Sequence, residues 1–107
     1  MATPCLRNVA PELVTEMQSL LMEQGEHDLA TQVVKLAIVE LCSCGDSFCS
    51  TFHTVERSNS PRGLGHRTIA LRPQRGILNV DVVGPDIVGI EILYRDEFRT
   101  NIRAAVA

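Results

Sequence analysis

Three of the four cysteines in this 107-residue chain lie within eight residues of one another. They are Cys42, Cys44 and Cys49, and they flank a Gly45-Asp46 pair that is typical of a two-residue hairpin loop, because Gly readily adopts positive φ. If this pair forms the loop, Cys42 lies directly opposite Cys49, and strand alternation places all three thiols on one face. Thiols gathered in this way can bind a soft metal ion, form a disulfide or act as nucleophiles.

Two histidines, His53 and His66, could complete a zinc site with these thiols, since three thiolates and one imidazole form a common tetrahedral ligand set. In a straight strand, His53 lies roughly 13 Å from Cys49, whereas a shared zinc ion lies only about 2 Å from each ligand. A bulge, a zinc knuckle, or a different fourth ligand such as His66 or Asp46 would therefore be needed. Zinc is the one cofactor that the sequence suggests.

The same thiols allow interpretations without a metal. Directly opposed strand residues have Cα atoms about 4.5 to 5.5 Å apart, so Cys42 and Cys49 could form a disulfide under oxidation. Catalysis by Cys44 or Cys49 needs a nearby base, which His53 or His66 would have to supply. Neither histidine belongs to a local catalytic motif, so the sequence favours a non-catalytic protein over an enzyme. In the simplest interpretation the cysteines are small, semi-buried strand residues.

Charge is distributed unevenly along a chain whose net charge is −3. Residues 55–76 contain five arginines and one acidic residue, and guanidinium groups match the geometry of carboxylates and phosphates. The candidate anion-binding or partner-binding residues in this stretch are Arg62, His66, Arg67 and Arg72. Because the whole chain is acidic and has few aromatic residues, a protein partner is expected rather than a nucleic acid.

Helical periodicity predicts an N-terminal helix that begins at Pro11 and ends at Gly25, followed by a second short helix over residues 28–34. The chain then becomes rich in β-branched residues, and helix gives way to strand near residues 32–36. A C-terminal helix is predicted to begin at Asp96, with Phe98, Ile102 and Ala105 on its buried face and Arg95, Arg99 and Arg103 on another.

Period-two alternation predicts a meander of three strands over residues 67–72, 77–83 and 87–94. Turn sequences at residues 73–76 and 84–86 connect these strands. Together with the cysteine hairpin they form an antiparallel sheet of about five strands, and the helices cover one of its faces. The expected fold is therefore a single two-layer α+β domain that includes residues 1–107.

Several motifs resemble those of a family of small uncharacterised bacterial proteins. These motifs are Cys42-x-Cys44-Gly45-Asp46-x-Phe48-Cys49, Gly65-His66-Arg67 and the strand sequence around Ile87 to Arg95. The resemblance implies a bacterial, cytoplasmic, single-domain protein without an assigned activity. The Cys-x-Cys-Gly opening is also similar to the zinc-binding tail of bacterial secretion ATPases, in which the second ligand pair lies further along the chain.

Two functions from different classes follow. The first is a small cytoplasmic module that binds or regulates another protein through its sheet face or its arginine-rich loop, and a homodimer is left open. The second is a zinc-binding or redox-active protein that uses the Cys42, Cys44 and Cys49 hairpin. No segment approaches the roughly 18 apolar residues that a membrane span requires, so no membrane association is expected.

Overall fold

Five antiparallel strands form a single sheet in a computed structural model that describes residues 3–42, 47–55 and 65–106. The strands are β1 (Glu40–Leu41), β2 (Phe52–His53), β3 (His66–Ala70), β4 (Ile77–Val83) and β5 (Asp86–Leu93). Their order across the sheet is β1-β2-β5-β4-β3. The predicted meander of β3, β4 and β5 is confirmed, and the short first hairpin pairs with β5.

Four helices are described: α1 (Leu6–Val9), α2 (Pro11–Glu23), α3 (His27–Val33) and α4 (Asp96–Ala105). The three helices that periodicity predicts are all present. α2 begins with Pro at its first position, where the missing N–H is not needed. Gly25 follows α2 with φ +80, a conformation that favours glycine and stops the helix. The short α1 was not predicted, because a single turn carries too little periodicity.

Apolar side chains from the helices and from one face of the sheet form one core. The cluster contains side chains from all four helices and from β2 to β5, and Leu41 of β1 packs against it. Paired residues on neighbouring strands contribute together, as Phe52, Ile90 and Val80 do in one row across the sheet. Because successive strand residues point to opposite faces, the intervening residues lie on the other side. The two-layer α+β fold is therefore confirmed.

The turns of the meander depend on glycine. Gly76 lies between β3 and β4 with φ +67, and Gly84 lies between β4 and β5 with φ +59. A Cβ atom at Gly76 would come within 2.6 Å of the Leu93 carbonyl oxygen, whereas nothing lies within 4 Å of one at Gly84. Glycine is thus required at position 76 for two reasons: the backbone has a positive φ, and there is no room for a Cβ atom.

The register of the first hairpin differs from the prediction. Leu41 pairs with Phe52, and the Cys42 N–H donates to the Thr51 carbonyl at 3.0 Å, so Cys42 is not directly opposite Cys49. Cys49, which lies before the start of β2, instead forms a bridge with Leu93. Residues 43–46, which include the predicted Gly45-Asp46 loop, lie outside the described residues.

Contacts with β5 and α4 account for this register. The Tyr94 N–H donates to the Phe48 carbonyl at 2.9 Å, and the two aromatic rings stack with centroids 4.9 Å apart. Arg99 of α4 donates to the Ser47 carbonyl, and Arg103 donates to the Cys49 carbonyl at 3.0 Å. These contacts hold residues 47–49 from outside the hairpin. A register predicted from the two hairpin strands alone does not take them into account.

Candidate functional site

A row of residues crosses the sheet on the face opposite the helices. Register pairs Glu40 with His53, His53 with Gly89, Gly89 with Asp81, and Asp81 with Thr68. Directly opposed residues in antiparallel strands project from the same face, so all five strands contribute to this row. We call this side of the sheet the open face, defined by the row together with His66, Asn79 and Glu91.

Glycine creates a notch at the middle of the open face. A Cβ atom at position 89 would lie 3.3 Å from His53 Nδ1 and 3.7 Å from Asp81 Oδ2. Gly89 is not in the positive φ region, so the reason for glycine here is close approach by its neighbours rather than backbone conformation. The imidazole of His53 and the carboxylate of Asp81 therefore flank the same small gap.

Hydrogen bonds orient two carboxylates on the open face. The Thr68 hydroxyl donates to Asp81 Oδ1 at 2.7 Å, and His66 Nε2 lies 3.6 Å from the same oxygen. The Asn79 side-chain amide donates to Glu91 Oε1 at 2.6 Å. Both carboxylates keep access to solvent, since the Asp81 side chain is 26% exposed and Glu91 is half-buried. The two carboxylates are therefore held in fixed positions where a ligand could reach them.

The open face is acidic. Glu40, Asp81 and Glu91 lie on it within the described strands, and Asp86 lies at its end, where it pairs with Val83 opposite His66. The only Lys or Arg in those strands is Arg67, whose partner Val82 belongs to the core side of the sheet. Arg67 forms an ion pair at 3.2 Å with Glu26, which lies between α2 and α3. Arg67 therefore does not lie among the three carboxylates, whereas the imidazole of His66 lies beside Asp81.

The predicted metal or thiol residues do not form one cluster in the part of the chain that the structure describes. Cys42 is half-buried after β1, Cys49 is buried with 5% exposure, and Cys44 lies outside the described residues. His53 and His66 both lie on the open face on either side of Asp81. Among the described residues, no group of three or more His, Cys, Asp or Glu side chains could hold a metal ion.

The predicted anion-binding residues are also separated. Arg62 lies outside the described residues, Arg67 pairs with Glu26, and His66 faces Asp81 on the open face. Arg72 is exposed and lines a cleft beside α2. Two of the predicted residues are thus already in contact with carboxylates of the same chain.

Arg95 is the charged residue whose position the sequence did not reveal. It was predicted on a face of α4 other than the apolar one, and its side chain is only 7% exposed. Its guanidinium donates to both Glu16 oxygens at 2.7 Å and to Glu97 at 2.9 Å, and it lies 5.0 Å from the centre of the Phe98 ring. Hydrogen bonds from Arg95 to Glu16 raise the pKa of Arg95 despite its burial. This network joins α2 to the start of α4.

The acidic open face was visible in the sequence only as the polar positions of β4 and β5. Asn79 and Asp81 alternate with buried residues, as do Gly89 and Glu91, but alternation alone does not show which strands are neighbours.

None of the described helices is long and apolar enough to cross a lipid bilayer. No protein-family model matches the chain, and comparisons with curated proteins and with solved structures give no match either.

Proposed function

We propose that this protein is a small cytoplasmic bacterial module that binds another protein through its open face, and that the partner presents lysine or arginine side chains there. The observation that carries the proposal is the set of three carboxylates, Glu40, Asp81 and Glu91, on strands with no Lys or Arg on that side. Complementary charge steers a partner toward such a face and selects against acidic proteins.

The arginine-rich stretch is less suited to be the main docking surface. Arg67 is paired with Glu26, and Arg75 is paired with Glu97, so both guanidinium groups would have to leave partners before they could bind new ones. On the open face, by contrast, the neutral side chains of Thr68 and Asn79 orient Asp81 and Glu91. This difference favours the sheet face over the loop.

A cytoplasmic location is part of the proposal because closely spaced cysteines, such as Cys42 and Cys49, occur there more often as thiols or metal ligands than as structural disulfides. The zinc or redox alternative for Cys42, Cys44 and Cys49 stays a prediction, and no specific contact among the described residues favours it over docking.

Affinity capture followed by titration tests the proposal. Wild-type protein is compared with a triple variant of the open face, in which Glu40→Gln, Asp81→Asn and Glu91→Gln are combined. The matched control combines Glu12→Gln, Asp28→Asn and Asp96→Asn, which removes the same charge from exposed positions of the helical layer.

A protein captured by the wild type is purified and its dissociation constant is measured against all three proteins. Because exposed charge pairs contribute about 0.2 to 1 kcal/mol each, we expect the open-face variant to bind several-fold to about a hundredfold more weakly. The control is expected to bind like the wild type, and the affinity should fall as salt is raised. Equal binding by the open-face variant and the wild type, or equal weakening by the control, would refute the proposal.

A further inference from the structure

The outer edge of β3 carries backbone groups that point away from the sheet. In its ladder with β4, Leu71 N–H donates to the Leu78 carbonyl at 2.9 Å, and Gly84 N–H donates to the Gly65 carbonyl at 3.3 Å. Alternate residues of an antiparallel strand bond to the same neighbour. The backbone groups of His66, Thr68 and Ala70 therefore face outward, at an edge that no described strand covers.

One of these outward backbone groups already accepts a hydrogen bond from a side chain at the end of α2. The Gln24 amide, just after α2, donates to the Ala70 carbonyl at 2.8 Å across 46 residues of sequence. This contact shows that a donor can approach the β3 edge from the side of the helix. A backbone N–H of an added strand would make the same bond, with the Gln24 amide turned into solvent.

A cleft runs between this edge and α2. One cavity of about 520 Å³ is lined by Leu20, Glu23, Gln24, Ala70 and Arg72. A second cavity of about 430 Å³ shares Leu20, Glu23 and Arg72 with it and extends toward the turn between β3 and β4.

Two residues that line the cleft, Leu20 and Arg72, indicate which side chains a bound segment would need. Leu20 is half-buried and packs against the core, so it offers an apolar surface within the cleft. Arg72 forms no ion pair with any other described residue, in contrast to Arg67 and Arg75. Its guanidinium is therefore available to a carboxylate.

We propose that the β3 edge and this cleft bind an extended segment of a partner protein as an additional strand. The segment places an apolar side chain on Leu20 and an acidic side chain at Arg72, while its backbone bonds to the outward groups of Thr68 and Ala70. In strand addition of this kind, main-chain hydrogen bonds supply affinity and side-chain pockets supply specificity. The edge shares His66 and Thr68 with the open face, but the cleft lies beside α2, where Arg72, next to Glu23, is the group that an acidic partner residue would bind.

A titration with a defined peptide tests this inference. The probe is a hexapeptide of alternating valine and threonine that ends in glutamate, added at up to millimolar concentration to isotope-labelled protein. We expect the amide NMR signals of His66, Thr68 and Ala70 to shift. The same peptide with an N-methyl group on every residue lacks all backbone donors and should not produce these shifts.

Two protein variants sharpen the test. Gln24→Ala removes the competing donor at the Ala70 carbonyl and is expected to bind the peptide roughly two- to tenfold more tightly. Arg72→Gln is expected to bind roughly two- to fivefold more weakly. The triple open-face variant is expected to bind the peptide like the wild type, which separates this inference from the proposed function.

Three outcomes would overturn the inference. The first is the absence of shifts at the β3 edge at millimolar peptide. The second is equal binding of the N-methylated peptide. The third is a Gln24→Ala variant that binds no more tightly than the wild type.

Discussion

Two adjacent hydroxyls beside β5 are in opposite hydrogen-bonding states. Ser50 is 3% exposed, and its Oγ has no hydrogen-bond partner among the described residues. The neighbouring Thr51 Oγ1 accepts a bond from the Ile92 N–H at 3.0 Å. Burying an unpaired hydroxyl costs free energy, whereas removing a paired one leaves a buried donor unsatisfied.

Substitution of these two residues should therefore shift the free energy of unfolding in opposite directions. We expect Ser50→Ala to raise it by about 1 kcal/mol and Thr51→Val, which keeps the branched shape, to lower it by about 1 kcal/mol. Urea denaturation of the two variants measures both values. A loss of stability in Ser50→Ala equal to that in Thr51→Val would mean that the Ser50 hydroxyl is bonded after all.

The buried guanidinium of Arg95 makes a second prediction at the level of single residues. Its removal would leave Glu16 and Glu97 facing each other without their shared cation, so we expect Arg95→Ala to lower the free energy of unfolding by about 3 kcal/mol. The matched variant Arg7→Ala, at an exposed position of α1, should change it by less than about 0.5 kcal/mol. Equal effects of the two substitutions in chemical denaturation would contradict the structural role of Arg95.

At the scale of elements, local periodicity was enough to predict most of the helices and strands. The apolar spacing in α2 and the alternation in β4 and β5 depend on residues close in sequence, so their types and approximate ends were correct. The hairpin register was wrong because Phe48, Cys49 and their neighbours are held by β5 and α4, more than 40 residues away. Arg95 was misplaced for the same reason, since its main partner Glu16 is 79 residues distant.

The turn between β3 and β4 makes a prediction at this scale. An alanine at Gly76 would adopt an unfavourable positive φ and also meet the Leu93 carbonyl, whereas an alanine at Gly84 meets only the first problem. We expect Gly84→Ala to cost about 1 to 2 kcal/mol and Gly76→Ala about 2 to 5 kcal/mol. Thermal or urea denaturation checks the difference, and a Gly84→Ala variant that is the less stable of the two would contradict it.

At the scale of the whole molecule, the protein has one covered sheet face and one acidic face. All four helices contribute residues to the core, so the face of the sheet that the helices cover stabilises the fold. The open face contributes little to that core. The sequence revealed the chemistry of the individual strand positions, but only the strand order brings Glu40, Asp81 and Glu91 onto one surface.

Acid should destabilise the whole molecule in part through Glu97. Burial opposes ionisation of this carboxylate, but a backbone hydrogen bond and the Arg95 guanidinium hold its pKa below the ordinary value of 4.5. Its stabilising contribution is therefore present above about pH 4.5 and is lost as the pH falls through the lowered pKa.

The difference in stability between the wild type and Glu97→Gln should accordingly be present at neutral pH and shrink in acid. Glu12→Gln, at an exposed position of α2, is the control for the loss of a surface charge. Unfolding free energies at several pH values measure the effect. A gap between wild type and Glu97→Gln that widens in acid would contradict the account.

We propose that the acidic open face contacts basic residues of a partner protein. Zero-length carbodiimide cross-linking of the purified complex, followed by mass spectrometry, tests it most directly because the reaction joins carboxylates only to amines in contact with them. We predict cross-links from Glu40, Asp81 or Glu91 to partner lysines. Cross-links confined to carboxylates of the helical layer, such as Glu12 and Asp28, would contradict the claim.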